Sequence, residues 1–398
     1  MSLHSLADQL FDGENLEFSP AIFGSPSRYI QAPRLFSKCG EILSSLGYSN
    51  VAVMASLRSQ QTEASSAIRS IETAGIAVEI STFGGECSFE EIEKHTKRLA
   101  GGQHPLDAVV AIGGGKVVDA GKCVAARLGI EVIILPSLAS NDGPCSALSV
   151  IYDNNGSVES AEVFNVNPRV VMVDTEVIAR APVRYLVAGI GDALATWFEA
   201  RACAENPRGK TVLGGRPTLA GTAMGKLCAD TIFEYAIGAI SAVQNKRSSI
   251  ALEKVVEANI LLSGIGFESG GVAASHAFAN AFSRISEMHK SFLHGEMVAV
   301  GILSQLALED DEQEAQQVAE FFAEIGLPTT LTQIGLSNHL DDMQSLANAT
   351  ADIPFLQNMP IDDLSAEALL AALAAADARG TRINAASGAD AYRALHSN

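Results

Sequence analysis

Along the first part of the chain, short apolar runs alternate with longer amphipathic ones. VAVMAS (51–56), VEIS (78–81), AVVAIGGG (108–115), EVIILP (131–136) and VVMVD (170–174) are β-rich or continuously apolar. SSAIRSIETAG (65–75), SFEEIEKHTKRLAGG (88–102) and KVVDAGKCVAARLG (116–129) lie between them with helical spacing. This alternation predicts a parallel, doubly wound sheet. From about Ala181 the strand signals stop. AGIGDALATWFEARACA, TLAGTAMGKLCADTIFEYAIGAI, IALEKVVEANILLSGIGF and HGEMVAVGILSQLALE are long, Ala/Leu-rich and helical in period, and DDLSAEALLAALAAADARG (362–380) places Asp and Ser for an N-cap. The predicted architecture is an α/β domain over 1–180 followed by an all-α domain over 181–398. The cleft between them is the default ligand site.

Composition narrows the function classes. The 398 residues are 47% hydrophobic and 18% charged, as in a globular protein. A formal net charge of −19 argues against nucleic acid or an anionic membrane as partner, since both call for a basic face. The six cysteines are scattered without a CxxC pair, so reduced thiols in the cytoplasm are expected. The first residues, MSLHSLADQLFDGENLEF, lack the basic and apolar regions of a secretory signal, and no apolar run approaches the ~20 residues that cross a bilayer.

Two loops follow predicted strands on the same sheet edge. In AVVAIGGGKVVDAGK, Gly113, Gly114 and Gly115 lead into a helix with Lys116 at its start. This suits a phosphate held by backbone amides and a helix N-terminus, and equally a tight turn that binds nothing. The next, LPSLASNDGPCSALSVIYDNNG (135–156), gathers Ser137, Ser140 and Ser146 around Asp142. Such edges hold ligands in open α/β sheets. Farther on, His276 and His294 occupy an apolar helical region; taken alone, each reads as a core or surface histidine.

Together FGGECS (83–88), GGGK (113–116), DGPCSALSVIY (142–152), AGIGDALATWFEARAC (188–203), ANILLSGIGFESGG (258–271) and HGE (294–296) resemble the glycerol dehydrogenase branch of the iron-containing/polyol dehydrogenase superfamily, collinearly from about Arg28 onward. The resemblance implies a dehydroquinate synthase-like/glycerol dehydrogenase-like fold: an α/β nucleotide-binding domain, an all-α domain, and a metal in the cleft. It implies metal ligation by Asp192, His276 and His294, with zinc favoured over iron or manganese because Thr196 stands where iron-dependent relatives carry a further histidine. It places the dinucleotide pyrophosphate on Gly113, Gly114, Gly115 and Lys116, and has Ser137, Ser140, Ser146, Leu148 and Tyr152 line the cofactor. Asp142, with His276, would bind the substrate. The implied reaction is reversible, NAD-linked oxidation of glycerol to dihydroxyacetone, in a cytoplasmic homo-oligomer. His289, His95, His104 and His339 match no ligand position and are expected at the surface.

This chain departs from the family pattern at several places. Ser56, followed by Leu57 and Arg58, replaces the Asp that holds the adenosine ribose, which leaves NADP open. Val117, Ala120 and Ala279 replace two threonines and a histidine. Rival readings are an NAD(P)H-dependent enzyme for another small diol or hydroxyketone, a relative acting on a phosphorylated or acidic substrate, and a catalytically silent nucleotide-binding protein. The second needs a cluster of Lys or Arg, and apart from Lys290 the stretch from His276 to His294 suggests none. The third is opposed by the intact Asp192, His276 and His294 set.

Overall fold

The computed structural model describes residues 6–11, 19–102, 104–153, 156–285 and 288–397. Strands β1 (Arg28–Ala32), β2 (Asn50–Ser56), β3 (Ala77–Phe83), β4 (Ala108–Gly113), β5 (Glu131–Pro136) and β8 (Val170–Asp174) form one parallel sheet in the order β1-β8-β5-β4-β2-β3. All five predicted strands are there. β4 and β8, apolar at nearly every position, are buried along their whole length inside the sheet, whereas β3 is a half-exposed edge. Alternate residues of β4 serve different cores. Ala108, Val110 and Ile112 pack with Phe36, Leu43 and Ile71, while Val109 and Ala111 join a core that continues into the helical half.

The chain runs from β2 outward to β3, then crosses back to β4. The direction of winding therefore reverses between β2 and β4, the switch point beyond whose C-terminal strand ends open α/β sheets keep a ligand crevice. Ser56 ends β2 and Gly113 ends β4, so both lie at this crevice.

Three strands lie outside the expected set. RYIQA, mixed in polarity, forms β1 beside β8. The segment 135–156, expected as one loop, contains β6 (Leu148–Tyr152), paired antiparallel with β7 (Val158–Val163). Leu148 and Tyr152 are thus strand residues. LSVIY alternates buried and half-buried positions, the period of a two-sided strand, but its Ser and Asn-rich surroundings read as a turn.

Beyond β8 the described chain is helical apart from an isolated bridge between Ala21 and Arg216. The helix expected near the end begins after Ser365, whose Oγ accepts from Ala368 N at 3.3 Å. No described helix is long and apolar enough to cross a membrane.

The helices Val183–Glu205 and His294–Leu308 meet backbone to backbone. A Cβ on Gly191 would lie 2.4 Å from Gly295 O, and one on Gly295 would lie 1.8 Å from Ala188 O. Only hydrogen fits at either place. Gly295→Ala should therefore cost about 1–3 kcal/mol through overpacking, even though alanine is the better helix former by about 1 kcal/mol. Urea unfolding checks this, and an unchanged or raised midpoint would refute the contact.

Candidate functional site

Two of the residues picked from sequence come from helices whose ends are held by buried carboxylates. The helix Ala274–Ser283 starts against Glu199, whose Oε1 accepts from Ala273 N and His276 N, both at 2.8 Å. Glu199 lies two turns beyond Asp192 on the Val183–Glu205 helix, so the two acids share a face. His294 opens its own helix, and Glu296 secures that start by accepting from Leu293 N at 2.9 Å. Glu296 also takes Arg184 Nε at 2.6 Å and Nη2 at 2.7 Å, which ties this turn back to the Asp192 helix.

These helices converge on one point. Asp192 Oδ1 lies 3.5 Å from His276 Nε2 and 3.4 Å from His294 Nε2, and one ligand atom from each residue falls within 4.8 Å of the others. Asp192 Oδ1 is buried and accepts no hydrogen bond. A buried carboxylate oxygen without a donor, faced by two imidazole nitrogens, fits a divalent cation bound by N and O ligands. The side chains of Asp192, His276 and His294 are 1%, 14% and 40% exposed, so access to that point is from the His294 side. Burial alone would raise the Asp192 pKa, but His294, His276 and the Asp142 N–H together hold it below the usual value. Burial opposes charge on His276, yet Glu199 and Asp192 outweigh it and hold its pKa well above the usual value.

Asp142 joins the same cluster. Its N–H donates to Asp192 Oδ2 at 3.2 Å, and its Oδ2 accepts from Ser263 Oγ at 2.9 Å. Ser263 Oγ also lies 2.8 Å from Thr196 Oγ1, so the hydroxyl one turn beyond Asp192 points to Ser263. Burial and the nearby Asp192 charge push the Asp142 pKa well up. Ser263 follows a π-helical turn, Ala258–Leu262, whose Asn259 Nδ2 donates to Ala139 O at 3.0 Å. The extra residue in that turn brings Asn259 and Ser263 onto the same loop. Neither residue, nor Glu199, was singled out from sequence.

The nucleotide candidates gather at the crevice. Gly114 caps the 14-residue helix Gly115–Leu128, and a Cβ on Gly115 would lie 2.8 Å from Asn141 Nδ2. Ser137 N donates to Gly113 O at 2.9 Å. Lys116 Nζ pairs with Glu86 Oε2 at 2.6 Å and sits 5.3 Å from the centre of the Tyr152 ring. Ser56 caps the helix Leu57–Gln61, its Oγ accepting from Ser59 N at 3.1 Å, and Arg58 pairs with Glu63 at 2.7 Å. Ser140 and Ser146 are buried; Ser146 Oγ lies 3.1 Å from Gly143 O beneath the loop. Val117, Ala120 and Ala279 are buried apolar contacts.

Lys122 escaped the sequence reading. It is buried in the helix that follows the glycine turn, and its Nζ donates to Gly143 O at 2.5 Å, Leu148 O at 2.7 Å and Ser146 Oγ at 3.3 Å. Burial lowers its pKa, and burial raises that of its neighbour Asp119 to about 6 although Lys122 opposes this. His95, expected at the surface, is instead buried between β3 and its own helix. Its Nδ1 lies 2.6 Å from Ser81 Oγ and its Nε2 lies 2.8 Å from Glu91 Oε1, because SFEEIEKHTKRLAGG turns that position inward. His104 and His339 are exposed, and the His289 side chain lies outside the described residues.

The sequence profile of the iron-containing alcohol dehydrogenase family matches residues 31–182. The chain is 41% identical to a glycerol dehydrogenase of Escherichia coli O6:H1 over 366 residues, covering 91% of this chain and 98% of that one. It is 48% identical to the glycerol dehydrogenase of Thermotoga maritima over 273 residues, 68% of this chain and 73% of that one. The crystal structure of glycerol dehydrogenase from Schizosaccharomyces pombe superposes with a TM-score of 0.86 at 33% identity, over 94% of this chain and 95% of that one.

Lys122 staples the Asp142 loop from below. Lys122→Met keeps the apolar stem of the side chain but leaves three acceptors and the Asp119 carboxylate without their cation. The expected loss is about 3–5 kcal/mol. It is read by chemical denaturation, and a loss within error of zero would contradict the staple.

Proposed function

The chain belongs to the iron-containing alcohol dehydrogenase family, and from that premise we propose that it oxidises glycerol to dihydroxyacetone reversibly, passing hydride to NAD beside a cation held by Asp192, His276 and His294. It is an oxidoreductase acting on CH–OH groups. The observation that carries the site assignment is the buried, unpartnered Asp192 Oδ1 facing Nε2 of both histidines. When bound there, the cation supplies Lewis-acid polarisation of a substrate hydroxyl, and the dinucleotide takes the hydride.

The rest falls to the chain itself. The Asp142 carboxylate, anchored by Ser263, is held beside Asp192 and selects a second, neighbouring hydroxyl. The balance is simple: the secondary carbon gives up hydride, its hydroxyl proton passes to water, and a ketone remains. At the crevice the turn of Gly113, Gly114 and Gly115 offers the N-terminus of a long helix to the pyrophosphate, and Lys116 exchanges Glu86 for phosphate. Ser137, Ser140, Leu148 and Tyr152 line the nucleotide, with Ser146 supporting the loop from within. Zinc is the cation favoured, since three protein ligands leave a position for substrate and Thr196 is committed to Ser263. NAD is favoured over NADP on the family resemblance; the exposed Arg58–Glu63 pair would yield to a 2′-phosphate as readily as Lys116–Glu86 yields to pyrophosphate, and so does not decide the choice. A cytoplasmic homo-oligomer completes the reading; exposed Leu227, Phe233 and Ile237 on the helix Leu219–Gln244 support self-association.

Absorbance at 340 nm with zinc-loaded protein tests this. Glycerol with NAD should turn over, chelation should abolish it, and His276→Ala should lower kcat/KM by at least roughly 100-fold. Full activity in His276→Ala, or indifference to chelation, would overturn the metal site. Turnover with NADP alone would instead make Ser56 and Arg58 the determinants of cofactor choice.

A further inference from the structure

Glu199 touches neither the candidate cation position nor the nucleotide crevice, yet it is fully enclosed, with no exposed surface. Its Oε1 is spent on the two backbone N–H groups that open the His276 helix, Ala273 N and His276 N. Its Oε2 lies 2.5 Å from His276 Nδ1. An ionised carboxylate can only accept, so the ring must donate through Nδ1. The other ring nitrogen, Nε2, is the one that faces Asp192 Oδ1.

We propose that Glu199 is a positioning residue: it fixes His276 with its proton on Nδ1, so that the Nε2 lone pair is aimed at the cation between Asp192, His276 and His294. This rests on the metal reading above and adds the question of what makes His276 a ligand. The arrangement is economical in geometry. Glu199 and Asp192 ride on one rigid helix two turns apart, so the ligand and the group that orients its neighbour move together. The same carboxylate holds both the ring and the backbone of the helix that bears it, and therefore sets the His276 rotamer as well as its proton.

The substitution that isolates this role is Glu199→Gln. Its amide oxygen still accepts from Ala273 N and His276 N, and its volume is nearly unchanged. Its NH2 group, however, now faces Nδ1 and must donate to it, which moves the ring proton to Nε2 and blocks the ligand atom. The zinc affinity of metal-depleted protein, measured by competition with a chromogenic chelator, should fall about 10–100-fold in Glu199→Gln. The metal-free variant should still unfold in one cooperative urea transition, so that a loss of affinity is not a loss of fold. Parental affinity in Glu199→Gln, with affinity lost in His276→Ala, would overturn the role of Glu199 alone. Parental affinity in His276→Ala would overturn the metal reading itself, and this proposal with it. A second measurement needs no variant: in zinc-loaded parent protein, long-range 15N NMR should show the His276 proton on Nδ1. A proton on Nε2 would refute the proposal.

Discussion

Everything at the site depends on how closely the Asp192 and His294 helices approach. Gly191 and Gly295 stand next to Asp192 and His294 in sequence, and at both positions a methyl group would collide with backbone of the facing helix. The contact therefore acts as a spacer of fixed thickness one residue away from each side chain. With ordinary side chains at these positions the axes would lie farther apart, at the usual 8–10 Å or more. Asp192 Oδ1 would then no longer sit about 3.4 Å from His294 Nε2. The glycines in GIGDALA and HGE thus belong to the geometry of the acidic and imidazole groups they adjoin.

The electrostatics are built around the same spacing. Asp142, Asp192 and Glu199 bring three carboxyl groups into a region shielded from water, and burial opposes the ionisation of Asp142 and Asp192. Each has a different counterweight. Glu199 has two backbone N–H groups and a ring nitrogen, Asp142 has the Ser263 hydroxyl, and Asp192 has one N–H and two facing imidazoles. Only Asp192 keeps a buried oxygen without a donor, which concentrates the unbalanced charge at one atom. The surrounding network of Arg184, Glu296 and Leu293 fixes the helix start that carries the second imidazole.

Much of this was readable in the chain because it lies in local patterns. The strands of the sheet centre announce themselves as continuous apolar runs, and the long helices of the second half as Ala/Leu periodicity. Asp192, His276 and His294 were marked by resemblance, and the fold brings them together. What stayed hidden depends on partners distant in sequence. Lys122 looks like an ordinary helix-surface lysine until β6 is laid over it, and Glu199 looks like one more acid until the His276 helix starts against it. His95 shows the reverse error: its position in an acidic and basic helix suggested the surface, but helical register turned it toward β3. Ser263 depends on a π turn, and a hydrophobic pattern carries no warning of one.

That turn also fixes a register. The segments Ile250–Glu257 and Ser263–Gly270 are joined through Ala258–Leu262 without leaving the helix. Removing a single residue from the turn would restore a regular α-helix and rotate everything beyond it by about 100° relative to what precedes it. Ser263 would swing off Asp142, and Gly264, which now rests against the Asp142 carbonyl, would carry a different neighbour there. Chain length in this stretch is therefore a constraint of its own, separate from the identity of the residues that fill the turn.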